Sequence, residues 1–315
     1  MDTPSILTTQ YSSLTGIRAL AKADVHNHLL MGGRRESIRQ LTGARLSPFR
    51  PVDGTIGELD EWIATQYRPL LKQGAGVFAL ALKAAFRQAA RDGVKVLEAS
   101  IDAGYGAAFG IPPARVVATL RQVHQETAPE IDFRPELGLN RNLSVRSLLL
   151  HIEPYLDFNY FTGIDLYDDE TAQPIRNFRE IYRFARSLGL RCKAHAGEFG
   201  DADSVIEAVE ELELDSVQHG IGAAGSIGAM QWLADHRIRL NVCPASNIRL
   251  KRCTSYKTHP IRRLFDHGIR VALGSDDVLI FGSGITEQMH RLLKVKVFTP
   301  EEMEVICRNG MEENR

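Results

Sequence analysis

Two histidines one residue apart, His26 and His28 in "KADVHNHLLMGG" (22–33), end a short apolar run and are followed by glycines. In a strand, alternate residues share a face, so both imidazoles point one way and Asn27 the other. Two imidazoles side by side suit a divalent metal, but the pair is a weak motif and needs further ligands. Candidates stand far along the chain: His195 in "KAHAGE", His219 in "VQHG", and Asp276 with Asp277 in "LGSDD". Nitrogen and carboxylate donors suit zinc, and a catalytic zinc site keeps one position open for water; iron, manganese and cobalt accept the same donors. The chemistry in view is metal-assisted hydrolysis. Taken singly, each residue has a plainer use: a lone histidine as a packed core residue, an Asp after a strand as a helix cap, and Glu198 as a first-turn helix acid.

Groups so distant in sequence meet only if the fold gathers them. Apolar runs at 21–28, 94–101, 133–139, 160–166, 190–195, 215–219, 238–242 and 269–274 read as eight strands. Amphipathic segments such as "ARVVATLRQVHQE", "IRNFREIYRFARSLG" and "ADSVIEAVEELE" lie between most of them, often closed by a glycine. Such alternation implies parallel strands with right-handed crossovers, and eight units predict a TIM (β/α)8 barrel. Between the first two strands, "ELDEWIATQYRPLL" and "AGVFALALKAAFRQAARDG" read as helices of an insertion over one end of the barrel. No low-complexity tract, repeat or Pro-rich linker interrupts the sequence, so residues 1–315 are read as one domain.

Catalytic groups of such barrels sit at the C-terminal ends of the strands. His26 and His28 close the first predicted strand, His195 the fifth and His219 the sixth, and Asp276 and Asp277 follow the eighth. Four histidines and two aspartates at one barrel face are hard to assign to packing.

Composition narrows the field. The 315 residues are 44% hydrophobic and 24% charged, enough to bury a large core. A formal net charge of −1 gives no electrostatic case for nucleic acid or an anionic membrane. The stretch "MDTPSILTTQYSSLTG" lacks the basic and apolar regions of a signal peptide, and no apolar run reaches the roughly 18 residues that span a bilayer, so the cytoplasm is the expected location. Cys192, Cys243, Cys253 and Cys307 form no CxxC pair and are read as reduced and mostly buried.

In order and spacing, "HNHL", "TGIDL", "HAGE", the "HG" after the sixth strand, "VCPASNIRL" and "GSDDVLIFG" resemble the adenosine deaminase family of metal-dependent hydrolases. The resemblance implies hydrolytic deamination of an adenine-type purine nucleoside, nucleotide or derivative, with release of ammonia. It also implies one zinc ion per chain, bound by His26, His28, His195 and Asp276 with water completing the shell. Zinc lowers the pKa of bound water to about 7, which makes a hydroxide nucleophile available at neutral pH. By the same resemblance Glu198 protonates the ring nitrogen beside the attacked carbon, and His219 orients or deprotonates the water and steadies the developing oxygen charge. Asp277 would hydrogen-bond the ring and the water, with His28 also bordering the substrate. Gly163 and Asp165 of "TGIDL" are placed at the end of the fourth strand, where the family shapes the base pocket. Ser246 and Asn247 are read as supports of the barrel mouth, although a turn before a helix would use the same residues.

Near the substrate the sequence departs from the family pattern. After the second histidine the family commonly has Leu, an acidic or small polar residue, then Gly; here the run is Leu29, Leu30, Met31, Gly32, Gly33. The usual Ala-Gly after "DL" is Tyr167 and Asp168. Leu30 has no polar atom to bond a ribose hydroxyl, and Asp168 adds bulk and charge near the base or ribose. Adenosine is therefore expected to be a poorer substrate than a 5′-modified or otherwise substituted adenine derivative. Arg34 and Arg35 could meet a phosphate or carboxylate, or simply be solvated. Two other classes stay open: a hydrolase of the same superfamily acting on an amide, lactone or ester, and a catalytically silent binding protein. The first needs no acid aimed at a ring nitrogen; retained ligands argue against the second. No partner beyond a small-molecule substrate is legible.

Overall fold

The computed structural model describes Tyr11 and residues 13–312. Most of the amino-terminal stretch read above, and both ends of the 1–315 span, lie outside the described residues. Eight strands pair in sequence order, each neighbouring pair parallel: β1 (Lys22–Asp24), β2 (Val94–Asp102), β3 (Asp132–Asn140), β4 (Gly163–Tyr167), β5 (Arg191–Ala196), β6 (Ser216–His219), β7 (Arg239–Val242) and β8 (Arg270–Leu273). The seam from β8 to β1 is held by a bridge between Asn27 and Asp276 and by bonds from Val25 N to Leu273 O (3.4 Å) and Asp276 N to His26 O (2.8 Å). The sheet thus curls into the nearly closed barrel of the TIM type, with helices outside it, as expected.

Two strands differ from their predicted spans by more than one residue at an end. β1 ends at Asp24, because beyond it the chain leaves the ladder: Asn27 bridges to Asp276 on one side and His28 to Ser100 on the other. β4 begins only at Gly163 and runs on to Tyr167, which moves its C-terminal end past Asp165. A further helix, Val145–Leu156, fills the crossover from β3 to β4 despite Pro154 inside it.

The insertion contains the helix Ile56–Trp62, a wide π-type turn Ile63–Tyr67, a short helix Arg68–Leu71 and the long helix Ala75–Arg91. Its start is fixed by a capping box in which Thr55 and Glu58 satisfy each other's backbone N–H groups. The glycines after His28 let the chain run close against the long helix: a Cβ on Gly33 would lie 2.6 Å from Ala84 Cβ. Apolar residues of the barrel, the outer helices and the insertion belong to one continuous core.

Inside the barrel a charged cluster occupies space that aliphatic layers fill in many such folds. Lys193 Nζ lies 2.5 Å from Glu98 Oε2 and 2.6 Å from Glu136 Oε1, and Arg239 donates to Glu98 at 2.6 Å. Burial alone would raise Glu98, but Arg239, Lys193 and Arg191 hold it well below the usual carboxylate range. All four cysteines are unbridged, two buried and two half-buried. Among the described residues no helix is long and apolar enough to cross a membrane.

Candidate active site

At the C-terminal mouth of the barrel the predicted ligands converge. Ring centroids are 4.7 Å apart for His26 and His195, 5.4 Å for His26 and His28, and 5.3 Å for His28 and His195. His219 adds a fourth ring 4.7 Å from His26. Asp276 reaches in from beyond β8, 3.7 Å from His28 Nε2 and 3.9 Å from His219 Nε2. Donor atoms of His26, His195 and His219 lie within 4.8 Å of one another, as do those of His28, Asp276 and Asp277. Both ring nitrogens of His26 and Nε2 of His195 are buried with no hydrogen-bond partner. Orphaned buried donors are costly, and a cation bound among them satisfies all at once, so the residues fit a divalent metal. His28 Nδ1 lies 2.9 Å from Ser100 Oγ, which orients the ring with Nε2 towards Asp276. Cys243 also stands near His26 and Asp276, and burial and the nearby carboxylates push its thiol well above its ordinary value. His219 (φ 63°) and Asp276 (φ 58°) both adopt left-handed backbone, a strain typical of functional positions.

The two "TGIDL" residues do not shape the pocket. Gly163 is the first residue of β4, paired with Glu136 and Arg191 at the far end of the barrel, where a Cβ would lie 2.9 Å from Arg191 O. Asp165 is fully buried in mid-strand, 3.6 Å from His195 Nε2. Burial pushes His195 down, but the Asp165 carboxylate outweighs it and lifts the imidazole to about 9. Asp165 therefore acts on His195 from below.

Glu198 follows the turn after β5. Gly197 in that turn has φ 68°, and a Cβ there would lie 2.3 Å from Val205 Cγ2, so the "HAGE" glycine has no substitute. Oε1 of Glu198 accepts from Ser246 Oγ at 3.2 Å and Asn247 Nδ2 at 3.1 Å, while Oε2 lies 3.4 Å from His219 Nε2. Burial and the Asp276 charge raise Glu198 to about 8, which favours its neutral form near neutral pH. Ser246 and Asn247, expected as supports of the mouth, are supports of this acid.

Hydrogen bonds also fix the protons around it. Ile261 N–H can only donate, and it donates to His259 Nδ1 at 3.0 Å. His259 therefore carries its proton on Nε2, 3.2 Å from Asn247 Oδ1. That orients the Asn247 amide with Nδ2 towards Glu198 and towards His219 Nδ1 at 3.2 Å. His219 is left with its proton on Nε2, facing the site as a donor.

The pocket over these groups is a cavity of about 70 Å³. Its polar wall includes His28, Asp168, His195, Glu198, Asp276 and Asp277. Its roof is the insertion, through Ile56, Leu59, Asp60 and Ile63. Asp277 presents a buried Oδ1 with no partner. Leu30 is absent from the lining and Met31 takes that place, because the short helix Leu29–Met31 turns successive residues to different sides. Asp168 is present, with φ 86°, the backbone that glycine favours, and its carboxylate accepts from Asn140 Nδ2 at 2.6 Å. Met31, Tyr167 and the insertion were read from the sequence without a place in the pocket lining, and no spacing pattern revealed His259 and Glu170. The last accepts the backbone N–H groups of Gly197 and Glu198 at 2.7 and 2.8 Å.

Comparison with known proteins agrees with this geometry. The adenosine deaminase family profile matches residues 59–314. A Treponema pallidum protein carrying the provisional name adenosine/adenine deaminase is 34% identical over 91% of this chain and 96% of its own. The crystal structure of adenine deaminase from Arthrobacter aurescens superposes with a TM-score of 0.79 at 25% identity, covering 93% of this chain and 92% of that one. An amidohydrolase from B. ambifaria, solved with bound zinc, has a TM-score of 0.79 at 21% identity over 98% of this chain and 88% of its own, a likeness of fold.

Proposed function

Because the chain belongs to the adenosine deaminase family, we propose that it hydrolyses the exocyclic amine of an adenine-type purine, and that the free base is its substrate, converted with water to hypoxanthine and ammonia. The observation that carries the reading is Glu198, raised to about 8 and aimed into the same small cavity as the histidine and aspartate cluster. An ester or lactone hydrolase has no need of a neutral carboxylic acid there, and a silent binding protein has no need of orphaned imidazoles.

His26, His28, His195 and Asp276 would hold one metal ion, with zinc favoured by the donor set and by the zinc in the B. ambifaria neighbour. Bound there, the metal supplies Lewis-acid activation of a water molecule at neutral pH. The protein's own groups do the rest. Glu198 gives its proton to the ring nitrogen beside the attacked carbon, so negative charge does not build on the ring. His219, with its proton on Nε2, donates to the attacking oxygen as charge develops on it. Asp277 uses its free Oδ1 to orient that oxygen and the ring. The water loses two protons, one on attack and one as its oxygen becomes the product carbonyl; one goes to the leaving amine and the other restores Glu198, so the carbon–nitrogen bond breaks with release of ammonia.

The choice of the free base rests on the apolar roof of Ile56, Leu59 and Ile63 and on the apolar Met31. A ribose hydroxyl brought against Met31 would find no hydrogen-bond partner on that side chain. The test is kcat/KM for adenine, adenosine and AMP, side by side and read as ammonia. Adenine should lead adenosine by at least about tenfold; adenosine or AMP in first place would reject the base preference. We also place the protein in the cytoplasm, where unbridged cysteines stay reduced, and treat barrel and insertion as one domain on the strength of their shared core.

A further inference from the structure

Beside the catalytic pocket lies a second cavity, of about 580 Å³. Arg35, Arg50, Arg249, Lys251 and Arg291 line it, and no carboxylate does. These cations come from separate segments: the start of the helix Arg35–Thr42, the loop before the insertion, the end of the helix Pro244–Arg249, and the helix Ile285–Lys294. With 38 basic and 39 acidic residues in the sequence, such a concentration is not a consequence of composition.

Nearby acids do not offset it. Glu287, on the same helix as Arg291, is taken by Arg34. Arg35 donates to the backbone carbonyls of Leu279 (3.1 Å) and Ile280 (3.3 Å), and Lys251 to that of Val52. Among the described residues none of the five forms an ion pair. Burial and the facing Arg249 both push the Arg35 guanidinium below its ordinary value. Like charges gathered without a counter-ion repel one another, and an anion placed among them removes that repulsion.

The wall adds neutral donors. Ser283 is 3% exposed, and its Oγ and the Tyr256 hydroxyl make no well-formed hydrogen bond, although the Tyr256 hydroxyl stands near both Ser283 and Arg291. Guanidinium forks and hydroxyls around a hollow suit a compact, many-oxygened anion. The hollow is half open, with Arg50, Arg249, Lys251 and Arg291 exposed around it, and its volume is that of a small ligand's site.

We propose that this cavity binds the phosphate group of a second small molecule, free phosphate or a phosphomonoester, distinct from the purine being deaminated. Phe281 lines both cavities, and Leu250, flanked by Arg249 and Lys251, lines the catalytic one. The two cavities therefore share a wall.

The test is titration calorimetry on the full metal-loaded chain at constant ionic strength, with inorganic phosphate in one arm and ribose 5-phosphate in the other. The comparison is the Arg249→Gln, Arg291→Gln double variant, whose altered side chains are exposed and lie outside the catalytic pocket. The wild type should show saturable binding that weakens at least roughly tenfold in the variant, with metal content unchanged. Binding of both probes identifies the bare phosphate group as sufficient; binding of the ester alone identifies a phosphomonoester. No saturable binding of either probe, or equal binding to wild type and variant, would overturn the site. Because binding and not turnover is read, the result stands apart from the identity of the deaminated substrate.

Discussion

Glu170 holds Glu198 through the backbone: its Oε1 accepts the Glu198 N–H at 2.8 Å, and its Oε2 accepts the Gly197 N–H at 2.7 Å. Longer bonds of 3.3 Å from Phe199 and Gly200 complete the ring of donors. A buried carboxylate thus pins the turn that positions Glu198.

Glu170→Gln should disturb that aim without touching substrate or metal ligands, since one amide NH2 would face backbone N–H groups. Displacement of a catalytic group by about 1 Å costs up to about 10²-fold. We expect kcat to fall by about 10- to 100-fold with KM and metal content little changed. Unchanged kcat would show that the turn holds its shape alone.

The ligand assignment is tested by metal analysis. His195→Ala and Asp276→Ala each remove one donor from the proposed four, so metal content after dialysis should fall well below one ion per chain in both. Full occupancy in both variants would contradict the assignment.

The charged cluster in the barrel should behave as a stability element. Glu98→Gln leaves Lys193, Arg239 and Arg191 facing a neutral amide, and breaking a buried ion pair costs about 3–5 kcal/mol. Urea unfolding is the measure, and a loss under about 1 kcal/mol would mean the cations find other partners.

His259 gives the pH dependence. Burial lowers its imidazole from 6.5 to about 3, so the folded protein keeps it neutral while the unfolded chain takes up a proton. Its contribution to stability is complete above about pH 6.5 and is lost as pH falls towards about 3. Replacing it by Gln removes the titrating group, so stability measured between those limits should fall less steeply in the variant. An identical slope would assign the acid sensitivity to other groups.

The barrel was legible because strands and helices carry different periods, and each proposed ligand lies at or just beyond a strand end where the apolar run stops. Contacts made by backbone or across the chain were not legible. Glu170 reaches Glu198 across 28 residues, and His259 sets the proton of His219 through Asn247, links that leave no periodicity. Gly163 and Asp165 were misplaced because the apolar run of the fourth strand begins before the strand itself. Leu30 was misjudged because a short helix, Leu29–Met31, and not an extended segment follows His28, and it exchanges Leu30 for Met31 at the pocket. Glu98 and Lys193 alternate with apolar residues as solvent-facing residues would, yet they point into the barrel.

Metal-dependent proton delivery by Glu198 to an adenine ring is tested most directly by ammonia release from adenine, with wild type and Glu198→Gln compared at equal metal content. The substitution keeps size and removes the transferable proton. The wild type should release one ammonia for each adenine consumed and lose that activity on chelation, while the variant should be slower by at least roughly 10²-fold. Near-normal turnover in Glu198→Gln, or adenine left unchanged by the metal-loaded wild type, would contradict the account.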